Sequence, residues 1–277
     1  MTASSSIDML QRLVAFDTTS RNSNLDLIKF IQGYLADHDV PSTLVPNDDG
    51  TKANLFATIG PMAEGGIVLS GHTDVVPVDG QPWETDPWTL TEKPDGNLYG
   101  RGTCDMKGFI AACLAHVPAL KKAKLKVPMH FAFSYDEEIG CLGAPQMIEV
   151  IRRELPAPAF VVVGEPTSME AVSGHKGIAT FHVTVTGHEV HSSQPHLGVS
   201  AVMEAATLMY ALNGLSARLQ DEADPASPFT PKGPTLTIGL VQGGTAHNIL
   251  ARECTFVFDV RSPGPRTPQE IVADRKS

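Results

Sequence analysis

Three stretches of this chain pass from apolar residues straight into side chains that bind metal ions. Ile67-Val68-Leu69-Ser70-Gly71 runs into His72-Thr73-Asp74. His130-Phe131-Ala132-Phe133-Ser134-Tyr135 runs into Asp136-Glu137-Glu138, and Phe160-Val161-Val162-Val163-Gly164 runs into Glu165. An imidazole with several carboxylates is a donor set that accepts zinc, cobalt or manganese. Gathered carboxylates repel one another, and burying them unpaired costs several kcal/mol each. A divalent cation among them is the simplest reason for the pattern.

The elements that must position these groups follow from periodicity. Apolar runs between helical patterns read as buried parallel strands. In an open α/β sheet, ligands collect beyond the carboxyl ends of such strands. Ile7, Leu10, Leu13 and Val14 share one helical face, as do Leu25, Ile28, Ile31 and Leu35. Further strands are predicted over 43–45 and 54–59, with helices over 108–122 and 144–155. Residues 77–100, rich in Pro, Gly and Asp and holding both Trp83 and Trp88, predict a long functional loop.

The character changes near Gly177. Ile178, Thr180, His182 and Thr184 alternate with Ala179, Phe181, Val183 and Val185, as in a half-buried antiparallel strand. A helix over 200–219 and strands over 235–241 and 254–260 follow. Thr267 then suits an N-cap and Pro268 the first helical position. The order β-α-β-β-α matches a split-βαβ, ferredoxin-like domain without its last strand. The predicted architecture is α/β: a mixed, mainly parallel catalytic sheet over 1–177 and a smaller α+β domain over 178–277.

Each chemical motif has a plainer alternative when taken alone. Asp74, two positions after His72, suits a partner that orients the imidazole, and H-x-D fits a surface turn as well. Asp105, in the Gly-rich turn Gly102-Thr103-Cys104-Asp105-Met106-Lys107-Gly108, could equally be a helix N-cap. The acids at 136–138 fit a ligand turn or a solvated one. His188, His191 and His196 lie in one loop, where solvent exposure suits His188 best.

Bulk properties narrow the class. Twenty-one Lys and Arg against 31 Asp and Glu give a net charge of −10, which argues against nucleic acid or an anionic membrane as partner. Lys121, Lys122, Lys124 and Lys126 read as cations at a helix C-terminus. Met1 to Ser6 show no signal-peptide pattern and no stretch is long enough to span a bilayer, so a cytoplasmic location is expected. Cys104, Cys113, Cys141 and Cys254 are scattered, as free thiols of a reducing compartment would be.

In this order, from about His72 to Arg261, these residues resemble the M20 family of metallopeptidases and deacylases. Gly71 to Gln81, Gly102 to Phe109 and Gly140 to Pro145 look most like its acetylornithine deacetylase branch. The resemblance implies a zinc-peptidase-like catalytic domain with a lid, hydrolysis of a small N-acyl amino acid, and a homodimer formed through the lid. It implies two Zn2+ ions, Co2+ being a substitute, with His72 and Glu165 on one, Asp105 bridging and Glu138 on the other. Glu137 would be the general base and Asp74 would orient His72. His191 would meet the oxyanion, and Asn248, Arg261 and Lys176 would contact substrate. The peptide bond after Asp105 is expected to be cis.

Family members supply a last histidine ligand from a segment after the lid, whereas Ser277 stands just inside the second lid helix. The expectation is therefore a C-terminally incomplete catalytic and lid domain, and weak catalysis by the chain alone. Three readings follow from the sequence: an acetylornithine deacetylase, another M20 amidohydrolase such as a succinyl-diaminopimelate desuccinylase or an aminoacylase, and a non-catalytic remnant.

Overall fold

A computed structural model of the chain describes residues 5–273, so the readings that touch residues 1–4 and Ser277 lie outside it. The chain forms two compact units, Met1–Glu170 and Ala171–Ser277.

The first unit opens with helices α1 (Ser6–Val14) and α2 (Leu25–Ala36), followed by strands β1 (Ser42–Pro46), β2 (Ala53–Ile59) and β3 (Gly66–His72). A short hairpin, β4 (Thr91–Glu92) and β5 (Leu98–Tyr99), lies within the long loop. Then come α3 (Lys107–Ala115), α4 (Val117–Lys122), β6 (Met129–Ser134), α5 (Ala144–Glu154) and β7 (Pro158–Val163). Ser5 starts α1 through a capping box, exchanging hydrogen bonds with Asp8. The buried face of α1 is Met9, Leu10, Leu13 and Val14, whereas Ile7 faces solvent, so that predicted face is corrected at its first residue.

The sheet order is β1-β2-β6-β3-β7. β1, β2 and β6 pair antiparallel, while β6, β3 and β7 pair parallel. Strand side chains alternate between faces. Leu55, Ala57, Ile59, Leu69, Phe131 and Phe133 share a core with residues of α1, α2 and α3. Val68 and Ala132 face the other way, against Met147 and Ile151 of α5. Each fully buried Leu, Ile or Phe contributes ~1.5–3 kcal/mol, enough in sum to fix the strand register.

Two expectations are corrected here. The helix predicted over 108–122 is two helices, because Pro118 lacks the N–H that would continue the first and sits in the opening turn of α4. The run Phe160 to Val163 forms a parallel strand but not a buried one. β7 is the edge of the described sheet, with Phe160 and Val163 54% and 57% exposed. An apolar run reads the same at the centre of a sheet and at its edge.

The second unit comprises β8 (Gly177–Thr186), α6 (Ala201–Asp221), β9 (Thr235–Gly243), β10 (Glu253–Ser262) and α7 (Pro268–Ala273). Its antiparallel sheet has the order β8-β10-β9. Ala179, Phe181, Val183 and Val185 are each less exposed than their strand neighbours, as the alternation predicts. Ser200 accepts the Met203 N–H to cap α6. Thr267 and Glu270 bond reciprocally at the start of α7. Ala201, Ala205, Leu215 and Leu219 pack on Phe256, Phe258 and Val260 of the central strand. Among the described residues no helix is long and apolar enough to cross a membrane.

Candidate metal centre

β3, β6 and β7 end side by side, with His72 level with Ser134 and Ser70 level with Val163. The residues that follow therefore emerge along one edge of the sheet. The His72 side chain is 1% exposed, and its Nε2 lies 2.9 Å from Asp105 Oδ1 and 3.8 Å from Glu165 Oε1. One ligand atom from each of His72, Asp105 and Glu165 falls within 4.8 Å of the others. Glu138 lies outside that cluster of three.

Asp105 does not cap α3, whose N-cap is Met106 without a side-chain bond; the N-cap alternative is thereby removed. The Asp105–Met106 peptide bond is cis, as expected. Glycines precede His72 and Glu165 for a steric reason. A Cβ on Gly71 would sit 3.0 Å from Met106 Cε and 3.4 Å from Phe109 Cδ1, and one on Gly164 would overlap the Phe109 ring. The first turn of α3 thus packs directly under the ends of β3 and β7.

Asp74 is more than a partner of the imidazole. His72 Nδ1 lies 2.9 Å from the Asp74 carbonyl oxygen and 3.5 Å from its carboxylate. A proton on Nδ1 shared with that carbonyl leaves Nε2 free to face a cation. The Asp74 carboxylate itself accepts the Ser20 hydroxyl at 2.7 Å, the Glu137 N–H at 3.0 Å and the Glu138 N–H at 3.3 Å. It thereby ties the end of β3 to the acidic turn after β6. The Glu137 carboxylate accepts a long bond from the Cys141 thiol at 3.6 Å.

The charges in this edge are mutually frustrated. Burial pulls the His72 imidazole down, but Asp74, Asp105 and Glu165 outweigh it and push it up to about 9. Burial and the Asp105 charge push Glu138 up to about 6. Burial, Asp105 and Glu137 also raise Glu165. Burial would raise Asp74 too, yet its bonds from His72, Ser20 and the Glu137 amide hold it below the usual range. An imidazole nitrogen and two carboxylate oxygens at this spacing, within excess negative charge, fit a divalent cation.

Thr18, Ser20, Asn24 and Lys52 carry no periodic or motif signal, and Lys107 lies within the Gly-rich turn of Asp105 with a supporting role that the motif does not announce. Thr18 donates to the Thr73 carbonyl at 2.6 Å, and the Asn24 amide to Thr73 Oγ1 at 2.9 Å. Lys107, fully buried two residues after Asp105, donates to the Phe16 carbonyl at 2.7 Å. Burial, opposed weakly by Asp17, pulls its ammonium down to about 7 from 10.5. Between those values the unfolded chain binds a proton that the folded one lacks, so stability rises with pH across that window. The penalty is complete below the folded value and vanishes above the unfolded one. Lys107→Met is therefore expected to be about 1–4 kcal/mol more stable than the parent near pH 6. That gain should shrink toward zero near pH 10, as urea unfolding at the two pH values would measure.

Within the second unit, the other candidate residues form two groups. The His191 loop pairs with the Asn248 loop, since the Ser192 N–H donates to the Asn248 carbonyl at 2.9 Å and His191 bridges Ile249. His191 Nδ1 lies 2.9 Å from Ser193 Oγ. This pair stands beyond the Glu253 end of β10. Arg261 and Lys176 stand at the opposite end, on a cavity of about 480 Å³ shared with His175. Lys176 Nζ donates to the Pro231 and Gly233 carbonyls at 2.6 and 2.7 Å, and Arg261 Nε donates to Asp259 at 3.2 Å.

Residues 68–255 match the model of peptidase family M20/M25/M40. Acetylornithine deacetylase of Myxococcus xanthus is 39% identical over 269 residues, 95% of this chain and 68% of its own length. Acetylornithine deacetylase of Shigella sonnei is 37% identical over 254 residues, 90% of this chain and 64% of that protein. The chain thus spans about two thirds of the length of these relatives. An M20 family metallo-carboxypeptidase from Sulfolobus solfataricus superposes with a TM-score of 0.77 at 18% identity, covering 98% of this chain and 74% of that one. A tripeptidase from Staphylococcus aureus gives 0.70 at 21% identity, covering 97% and 69%. Those two likenesses establish a shared fold.

Proposed function

The chain belongs to peptidase family M20/M25/M40, and from that footing we propose that it is a metal-dependent amide hydrolase that removes the acetyl group from N-acetyl-ornithine, a step of arginine biosynthesis in the cytoplasm. The observation that carries this reading is the cluster of His72, Asp105 and Glu165 at the strand ends, with Glu137 and Glu138 on the adjoining turn. His72, Asp105 and Glu165 would hold a Zn2+ ion, and Glu138 would serve a second one beside Asp105. When bound, the metal supplies an acidified water and a polarised amide carbonyl.

Glu137 takes the proton of the attacking water and returns it to the departing amine. Asp74 keeps both neighbouring acids in place through their amides. His191 donates to the oxyanion of the tetrahedral intermediate. Asn248, Arg261 and Lys176 contact the substrate, the planar fork of Arg261 suiting its carboxylate. The His191–Asn248 pair and Arg261 lie at opposite ends of β10, where Glu253 and Arg261 stand roughly 26 Å apart at strand rise. A small acyl amino acid does not bridge that span, which supports a homodimer in which two copies of the second unit each bring one end to a substrate.

The test is hydrolysis by the metal-free chain reloaded with Zn2+ or Co2+, across N-acetyl, N-succinyl and longer N-acyl amino acids. The highest kcat/KM is expected for N-acetyl-ornithine, abolished by a chelator and restored by metal. A preference for succinyl substrates would overturn the substrate assignment, and no hydrolysis of any would overturn the enzymatic reading.

A further inference from the structure

The first acid of the turn behaves differently from the two that follow it. Asp136 adopts a left-handed backbone with φ of 56°, and its carboxylate faces Lys52. Lys52 Nζ donates to Asp136 Oδ1 at 2.5 Å and to the Ser20 carbonyl at 2.5 Å. The two side chains are only 14% and 9% exposed. Ser20 in turn donates to Asp74, and Asp74 accepts the amides of Glu137 and Glu138. The contacts close into a ring: Lys52, Asp136, the acidic turn, Asp74, Ser20 and back to Lys52.

We propose that Lys52 is a positioning residue for the metal centre, holding the Asp136 turn so that the Glu137 and Glu138 amides converge on Asp74. This rests on the roles given above to Glu137 and Glu138. An ion pair so withdrawn from water is a poor source of stability, because desolvating both charges offsets their attraction. Its geometric effect is specific. A non-glycine residue at positive φ needs its surroundings to hold it there. Lys52 does so from the side chain while Asn54 Oδ1 accepts the Tyr135 N–H at 3.2 Å from the backbone. Lys52 also withdraws Asp136 from competition for a cation, because its ammonium takes up the Asp136 carboxylate. Its reach is set locally by the Asn47 side chain, which accepts the Lys52 N–H at 2.9 Å.

The test compares Lys52→Met, Asp136→Asn and Lys52→Arg with the parent chain. Zn2+ affinity is read by competition with a fluorescent chelator, and amide exchange by mass spectrometry over residues 134–143. The melting temperature and the kcat and KM for N-acetyl-ornithine are measured alongside. Lys52→Met and Asp136→Asn are expected to weaken Zn2+ binding about 10–100-fold, the range for losing a residue that supports a ligand. Exchange should accelerate in 134–143 and not elsewhere in the first unit. kcat should fall with KM little changed, and Lys52→Arg should restore most of the affinity. Unchanged affinity and exchange in both substitutions would overturn the proposal. So would faster exchange throughout the first unit in step with a lower melting temperature, since Lys52 would then be an ordinary stabilising residue. If Lys52→Met does not fold, Asp136→Asn decides by the same readouts. A parent chain that hydrolyses nothing would refute the function above, while affinity and exchange would still judge Lys52.

Discussion

Glu137→Gln is expected to reduce kcat by about 10²–10⁴-fold, the usual contribution of a positioned general base. Gln keeps the length and the backbone of the residue, so the Glu137 N–H still reaches Asp74 and the turn keeps its shape. It removes only the group that can take a proton from water. Zn2+ binding should consequently be retained, with KM close to that of the parent. Equal losses of metal affinity and kcat would instead identify Glu137 as a ligand. Steady-state kinetics beside a chelator-competition titration separate the two outcomes.

The second large effect is expected at Asp105. Its carboxylate is the nearest group to His72 Nε2, and its charge also reaches Glu138 and Glu165. Asp105→Ala takes away an oxygen that a cation at this edge would share. Bound metal should fall and affinity should weaken by more than about 100-fold, beyond what loss of a supporting residue produces. The same substitution relieves Glu138 and Glu165 of a repelling neighbour, which lowers their affinity for protons. Elemental analysis after dialysis against metal-free buffer gives the stoichiometry directly. Retention of the parent's full metal content would exclude Asp105 from the centre.

Part of this centre was legible because His72 and Glu165 follow apolar strands, and strand ends in an α/β sheet are where ligands meet. His72 and Glu165 were placed on that edge by the runs that precede them. The second unit was legible through the alternation of β8 and the Thr267–Glu270 helix start, both of which are local. Other features depend on contacts distant in sequence. Ser20 lies 54 residues from Asp74, and Lys52 lies 84 from Asp136. No period or motif announces such pairs. Asp74 illustrates the limit: its spacing from His72 suggested a link to the imidazole, but not that its carboxylate would collect a hydroxyl and two amides. The exposure of β7 was illegible for another reason, since apolar composition reports what a strand can bury and not how many neighbours it has.

The packing of Phe109 beneath Gly71 and Gly164 bears on how a centre like this can diversify. Gly164 cannot acquire a side chain unless the Phe109 ring moves, since a Cβ there would lie 2.1 Å from the ring, whereas a Cβ on Gly71 would press on Met106 Cε at 3.0 Å and meet the ring only at ordinary contact distance. Gly164 and Phe109 are therefore expected to be substituted together, a smaller residue at 109 making room for a side chain at 164.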